Sequence, residues 1–181
     1  MIHLITGNVG KLEELRSLLP PEVDITHRKL DLVEIQSLDL HEIVSHKLRQ
    51  AYEVVGEPVI VEDVSAELDS LRSLPGPFIK FFMQRLGDDA LFRIGAPHDA
   101  VKIMCTMGYY DGEKEIIVDG VMTGHIVVPR GNNGFGFDAV VVPDGYDRTL
   151  AELTSEEKNA VSHRRRAVDS MVSQLKKSGI C

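Results

Sequence analysis

The sequence predicts an α/β protein with a mixed β-sheet, and three stretches carry that expectation. The chain opens as strand, glycine turn and helix. "IHLIT" is short and apolar, and "GNVGKLEELRSLLPP" follows with Leu12, Leu15, Leu18 and Leu19 at helical spacing. "PVIVED" reads as a second buried strand, ending in two carboxylates. Residues 100–128 read as antiparallel strands, with Asp111-Gly112 at one turn.

The remaining elements fall between these. Pro20-Pro21 stops the first helix, and "VDITHRKLDL" is extended. A helix begins at about Asp39, where Asp39 and Glu42 have the spacing of a capping box. "PGPFIKFFMQRLG" reads as a helix started by Pro77 and ended near Gly87. "DAVVVP" is another strand. Thr154 and Glu157 form a second capping-box pattern, opening a last helix to about Lys177.

Bulk properties narrow the function. A chain of 181 residues suits one domain, or two closely joined lobes, and hides roughly 70% of its unfolded surface. The two cysteines, Cys105 and Cys181, make no metal site and fit a reducing compartment. No apolar run approaches the ~20 residues of a membrane span, and no signal-peptide pattern is present, so a cytoplasmic protein without a membrane partner is expected. A net charge of −8 argues against a polymeric nucleic acid as partner. The charge is uneven: residues 31–70 hold ten Asp/Glu against two Lys/Arg, while 147–177 hold seven Lys/Arg against five Asp/Glu. Solvated faces would explain this, as would a metal region and an anion region.

Several residues break local pattern. "TGNVGK", Thr6-Gly7-Asn8-Val9-Gly10-Lys11, sits at a strand-to-helix turn, where backbone N–H groups and the helix dipole suit a phosphate. It is not the P-loop motif, since Leu12 follows the lysine. On the helix 39–55, Lys47 falls inside the apolar arc of Ile43, Val44, Leu48, Ala51 and Val55, roughly 40° from Ile43. On the last helix, Arg164 falls within the stripe of Ala160, Ala167, Val168, Met171 and Leu175, with His163 about 100° away. Snorkelling explains one such cation; two suggest faces that border a polar cleft holding an anion. Glu62 and Asp63 end an apolar strand, where ligands gather in α/β sheets. With Glu34 they could bind Mg²⁺, and one could take a proton from water. In "GNNGFGFDA" (131–139), an extended backbone would put Phe135 and Phe137 on one face and Asp138 on the other. The rings could then stack on a base, with the glycines allowing close approach of a ligand.

Taken in order, "TGNVGK", "VIVED", "LPGPFIKFF", "GFGFD" and "ELTSEEKNAVSHR" resemble the inosine triphosphate pyrophosphatase family, also known by the RdgB and HAM1 names. The resemblance covers nearly the whole chain, and "PGPFIKFF" has the archaeal and eukaryotic form. It implies a long mixed sheet flanked by helices, bent between two lobes with a nucleotide-binding cleft, usually in a homodimer. It implies hydrolysis of non-standard purine nucleoside triphosphates (ITP, dITP and XTP) to monophosphate and pyrophosphate with Mg²⁺, or with Mn²⁺ as its substitute. By the same resemblance, Thr6 to Lys11 and Lys47 hold phosphate. Glu34 and Asp63, with Glu62 as a further candidate, hold metal, and Asp63 is the base. Lys80 and Lys158 touch the nucleotide, and Phe135, Gly136, Phe137, Asp138, His163 and Arg164 form the base pocket. Val64 departs from the pattern, since many relatives carry a hydroxyl there.

Base choice has a physical expectation. Hypoxanthine and xanthine present an acceptor at C6 where adenine presents a donor, so donors at Arg164 and His163 would disfavour adenine. Two other readings compete. Maf-like nucleotide pyrophosphatases open with a Ser-x-Ser-x-x-Arg pattern that this chain lacks. A non-catalytic nucleotide or RNA-binding module would use "SHRRR" (162–166) as a basic patch, which the acidic pair and the net charge oppose.

Overall fold

The computed structural model describes residues 1–180. The elements run β1 (Ile2–Ile5), α1 (Val9–Leu18), β2 (Ile25–Arg28), α2 (Leu40–Val55), β3 (Val59–Leu68), β4 (Leu74–Gly76), α3 (Ile79–Leu86), α4 (Ala90–Ile94), β5 (Ala100–Tyr110), β6 (Glu115–Ile126), β7 (Val141–Pro143), α5 (Ser155–Val161) and α6 (His163–Lys177). Short 3-10 turns cover Gly136–Val140 and Leu150–Glu152. The strands form a seven-stranded mixed sheet ordered β2-β1-β3-β5-β6-β7, with β4 paired to β3. β1 is parallel to both β2 and β3, whereas the β3–β4 and β6–β7 pairs are antiparallel. No helix among the described residues is long and apolar enough to cross a membrane.

The chain divides into two compact units. The first holds residues 1–64, 105–120 and 164–180; the second holds 65–104 and 121–163. In the first, α2 presents Val44, Leu48 and Ala51 to Ile5, Val59 and Val61, all fully or almost fully buried. Gly108 of β5 permits this packing, because a Cβ there would stand 2.6 Å from Leu48 and Val44 side-chain atoms. In the second, Leu68, Leu91, Ile103, Met122, Val140 and Leu150 are buried. Burying side chains of this size stabilises a fold by roughly 1.5–3 kcal/mol each.

Five local expectations change. The strand of "PVIVED" does not end at Glu62 and Asp63: β3 runs on to Leu68, where Ala66–Leu68 pair with β4, so both carboxylates stand inside the strand. Asp39 does cap α2, but it accepts from the His41 N–H at 2.8 Å, and Glu42 instead accepts from the Ser37 hydroxyl at 2.6 Å. Helix α3 begins at Ile79 and not at Pro77, because Leu74–Gly76 is taken up as a strand against Ala66–Leu68. The segment 136–140 is a 3-10 turn, so the strand begins only at Val141. The last helix is two helices. Thr154 and Glu157 close the expected capping box on α5, but Ser162 turns to φ −61°, ψ 135° and ends it. A new helix, α6, starts at His163. Ala160 therefore stays exposed on α5, away from the buried stripe of Ala167, Val168, Met171 and Leu175.

Candidate active site

In the first unit the chemistry is organised by β3. Glu62 and Asp63 are adjacent, so the strand sends their side chains to opposite faces. Each face supplies its own cations. Glu62 Oε1 lies 2.6 Å from Lys11 Nζ, and Glu62 Oε2 lies 3.6 Å from Arg164 Nη2. The Cys105 thiol donates to Glu62 Oε2 at 3.3 Å. Arg164 also pairs through Nη1 with Glu14 of α1. Burial works to raise the Glu62 pKa, but Lys11 and Arg164 outweigh it and hold the carboxyl at about 2. Burial likewise opposes the charge on Arg164, yet Glu62 and Glu14 push its pKa above the usual arginine value. Burial and the Glu62 charge raise the Cys105 thiol well above its ordinary range, so it stays neutral and donates.

On the other face, Lys47 donates to Asp63 Oδ2 at 3.0 Å and to Glu34 Oε1 at 3.3 Å. Burial works to lower the Lys47 pKa, but Asp63 and Glu34 overcome it and raise it. The Val64 N–H donates to Asp63 Oδ1 at 2.9 Å, so both carboxylate oxygens are fixed. Val64 itself is buried and apolar.

Before α1, the Asn8 N–H donates to the Thr6 hydroxyl at 3.2 Å, and Asn8 Oδ1 accepts from the Lys11 N–H at 3.1 Å. Gly7, Asn8 and Val9 are exposed, and Gly10 already lies in the first helical turn. This is an open helix N-terminus with a lysine one turn in. Lys11, however, is anchored to Glu62.

The second unit brings together Asp138, Lys158, Phe135, Phe137 and His163. Asp138 Oδ2 accepts from Lys158 Nζ at 2.7 Å and from the Phe135 N–H at 2.9 Å. The Lys158 ammonium lies 5.1 Å from the Phe135 ring centre. The Phe137 ring lies 6.3 Å from the His163 ring, and both side chains are buried. The two phenylalanines do not share a face. Phe135 is extended and half-buried, while Phe137 lies in the 3-10 turn, where side chains advance by about 120° and alternation is lost. The glycines serve the loop itself: a Cβ on Gly134, at φ +81°, would stand 2.1 Å from Asp138 Oδ2. Gly136 lies in the same turn. Lys80 is exposed on the first turn of α3, 6.0 Å from the Phe81 ring centre.

Two participants escaped the sequence reading. Glu14 was legible in principle, since it sits three residues after Lys11 on one helical face. Cys105 carried no signal beyond lying in an apolar run. Among the described residues, no three His, Cys, Asp or Glu side chains form a ready metal cage. Glu34 and Asp63 nevertheless converge on one cation position, filled here by Lys47. Hard carboxylate oxygens, completed by phosphate and water, suit Mg²⁺, so these two residues fit such an ion. Glu62 does not join them, because its oxygens are engaged by Lys11, Arg164 and Cys105.

A mixed sheet with a helix N-terminus beside paired carboxylates is the frame of a phosphate-handling α/β protein. The Ham1 family model matches residues 2–174, and the chain belongs to that family. It is 39% identical over 174 residues to an inosine triphosphate pyrophosphatase of Pyricularia oryzae, covering 94% of this chain and 90% of that protein. A solved HAM1 protein from Coxiella burnetii superposes with a TM-score of 0.81 at 28% identity, over 97% of this chain and 98% of that one. A nucleoside-triphosphatase/dITP/XTP pyrophosphatase from Mycobacterium abscessus gives a TM-score of 0.71 at 30% identity, over 94% and 98% of the two chains. A fungal relative accords with the archaeal and eukaryotic form of "PGPFIKFF".

Proposed function

We propose that this chain is a nucleoside triphosphate pyrophosphatase that cleaves non-standard purine nucleotides (ITP, dITP and XTP) to monophosphate and pyrophosphate with Mg²⁺. The observation that carries this reading is the division of β3: Glu62 grips the lysine of the phosphate-type turn, while Asp63 and Glu34 meet at a cation position. The names of the relatives point to the same chemistry.

Asp63 is the general base in this scheme. With Oδ1 accepting the Val64 N–H, its carboxylate has a set orientation, and a held base contributes typically 10²–10⁴-fold. The water oxygen bonds to the α-phosphorus, the bond to the bridging oxygen breaks, pyrophosphate leaves with that electron pair, and Asp63 takes the water proton. Thr6 to Lys11 and Lys47 receive phosphate oxygens. Mg²⁺ held by Glu34 and Asp63 would neutralise charge on the phosphates. In the second unit, Phe135, Gly136, Phe137, Asp138, Lys158 and His163 serve the nucleotide's base side, with Lys80 as a further contact. Arg164 is assigned there by resemblance. Its guanidinium is bound by Glu14 and Glu62, so any role at the base edge is shared with those pairs. A homodimer and a cytoplasmic setting belong to the same reading.

The test is Mg²⁺-dependent release of pyrophosphate from ITP, dITP and XTP, with ATP and GTP as comparisons. Turnover of the first three with little on ATP is expected. Nucleotide binding without hydrolysis would favour a binding module, and preference for other modified nucleotides would favour a Maf-like activity.

A further inference from the structure

Lys47 holds more than a phosphate contact requires. Its side chain is only 11% exposed, on the face of α2 that carries Ile43, Val44 and Leu48. Its ammonium bridges Glu34 Oε1 and Asp63 Oδ2, at 3.3 and 3.0 Å. These are the two carboxylates that the proposed function gives to the divalent ion. The ammonium occupies the bridging position between these oxygens that a divalent ion held by both would take. The ion needs them at about 2.0–2.1 Å for Mg²⁺, and two cations that close repel.

We propose that Lys47 is a placeholder: its ammonium holds the Glu34 and Asp63 oxygens until a nucleoside triphosphate arrives, and yields them to the divalent ion when phosphate oxygens draw it away. This rests on the proposed function, whose ligand set it uses.

The chemistry of lysine suits the task. Two partly buried carboxylates left without a cation repel each other, so the empty site needs a resident charge. A compact ammonium on a flexible four-carbon stem can move, whereas the guanidinium fork of arginine would grip both carboxylates and stay. The consequence is an order of binding: the ion alone binds weakly, and nucleotide and ion bind together.

The experiment is titration of the full chain with Mn²⁺, followed by the electron paramagnetic resonance signal of the free ion, without nucleotide. Lys47→Met should bind Mn²⁺ about tenfold or more tightly than wild type, the scale set by removing one neighbouring charge. Adding Glu34→Gln to Lys47→Met should abolish the gain. Lys47→Arg should bind no better than wild type. A non-hydrolysable α,β-imido analogue of ITP, with the Mn²⁺ that it binds in the absence of protein subtracted, should raise the wild-type affinity towards that of Lys47→Met. Equal Mn²⁺ affinity in folded wild type and Lys47→Met would overturn the proposal. Should Lys47→Met not fold, Lys47→Gln takes its place. The wild type alone also decides, since tight Mn²⁺ binding that the analogue does not change contradicts a placeholder. Failure of the wild type to release pyrophosphate from ITP would instead sink the functional reading, and the Mn²⁺ comparison would still be readable.

Discussion

Lys11 and Glu62 meet at 2.6 Å, which ties the first turn of α1 to the middle of β3. The pair is one edge of a cluster in which Arg164 of α6 reaches both Glu62 and Glu14. Two acids and two bases thus lock three elements of the first unit, and the Cys105 thiol supplies a further donor. Removing one partner from such a buried set leaves the others uncompensated. Glu62→Gln should therefore cost roughly 3–5 kcal/mol of stability at neutral pH, read by urea unfolding with the slope unchanged. A loss below about 1 kcal/mol, the scale of an exposed pair, would show that the cluster is not structural.

Asp63→Asn should behave differently. Lys47 keeps Glu34 as a partner, so the fold should survive, while pyrophosphate release falls by roughly 10²–10⁴-fold. Circular dichroism and steady-state rates on the same preparation check both halves. Near-normal turnover would move the base role elsewhere.

Gly134→Ala tests the second unit. The new Cβ would collide with Asp138 Oδ2 in a backbone conformation, φ +81°, that favours glycine. We expect a lower melting temperature and a higher KM for ITP, because the carboxylate that holds Lys158 and the Phe135 N–H must shift. Unchanged melting and KM would mean that the loop rearranges freely.

How much of this was legible in the sequence follows the range of the interactions. The strand, turn and helix at the start, and the face of α2 with Lys47 inside it, depend on neighbours a turn apart, and periodicity reports those. The Arg164–Glu14 pair joins residues 150 apart in sequence, which no local pattern can show. Phe135-Gly136-Phe137 was too short for alternation to separate a strand from a 3-10 turn, and Asp138 decided the matter by accepting its own loop's N–H. The break at Ser162 was hidden because the apolar stripe of α6 extrapolates smoothly back to Ala160.

Acid should act locally on α5. Glu157 bonds to Arg148 and to the Thr154 N–H, and Arg148 above all holds its pKa down at about 2. A carboxyl depressed in the folded state contributes stability above its unfolded value, near 4.5, and loses it as pH falls through the folded value. Between about pH 4.5 and 2, wild type should therefore lose a margin of melting temperature that Glu157→Gln lacks at every pH. Parallel melting curves for the two proteins across that window would contradict this.

The whole scheme turns on attack by water at the α-phosphorus under the control of Asp63. Hydrolysis of ITP in ¹⁸O-labelled water, with mass spectrometry of the products, tests it most directly. One labelled oxygen in the monophosphate and none in pyrophosphate is the predicted result. Label in pyrophosphate, or in free orthophosphate beside a nucleoside diphosphate, would contradict the account.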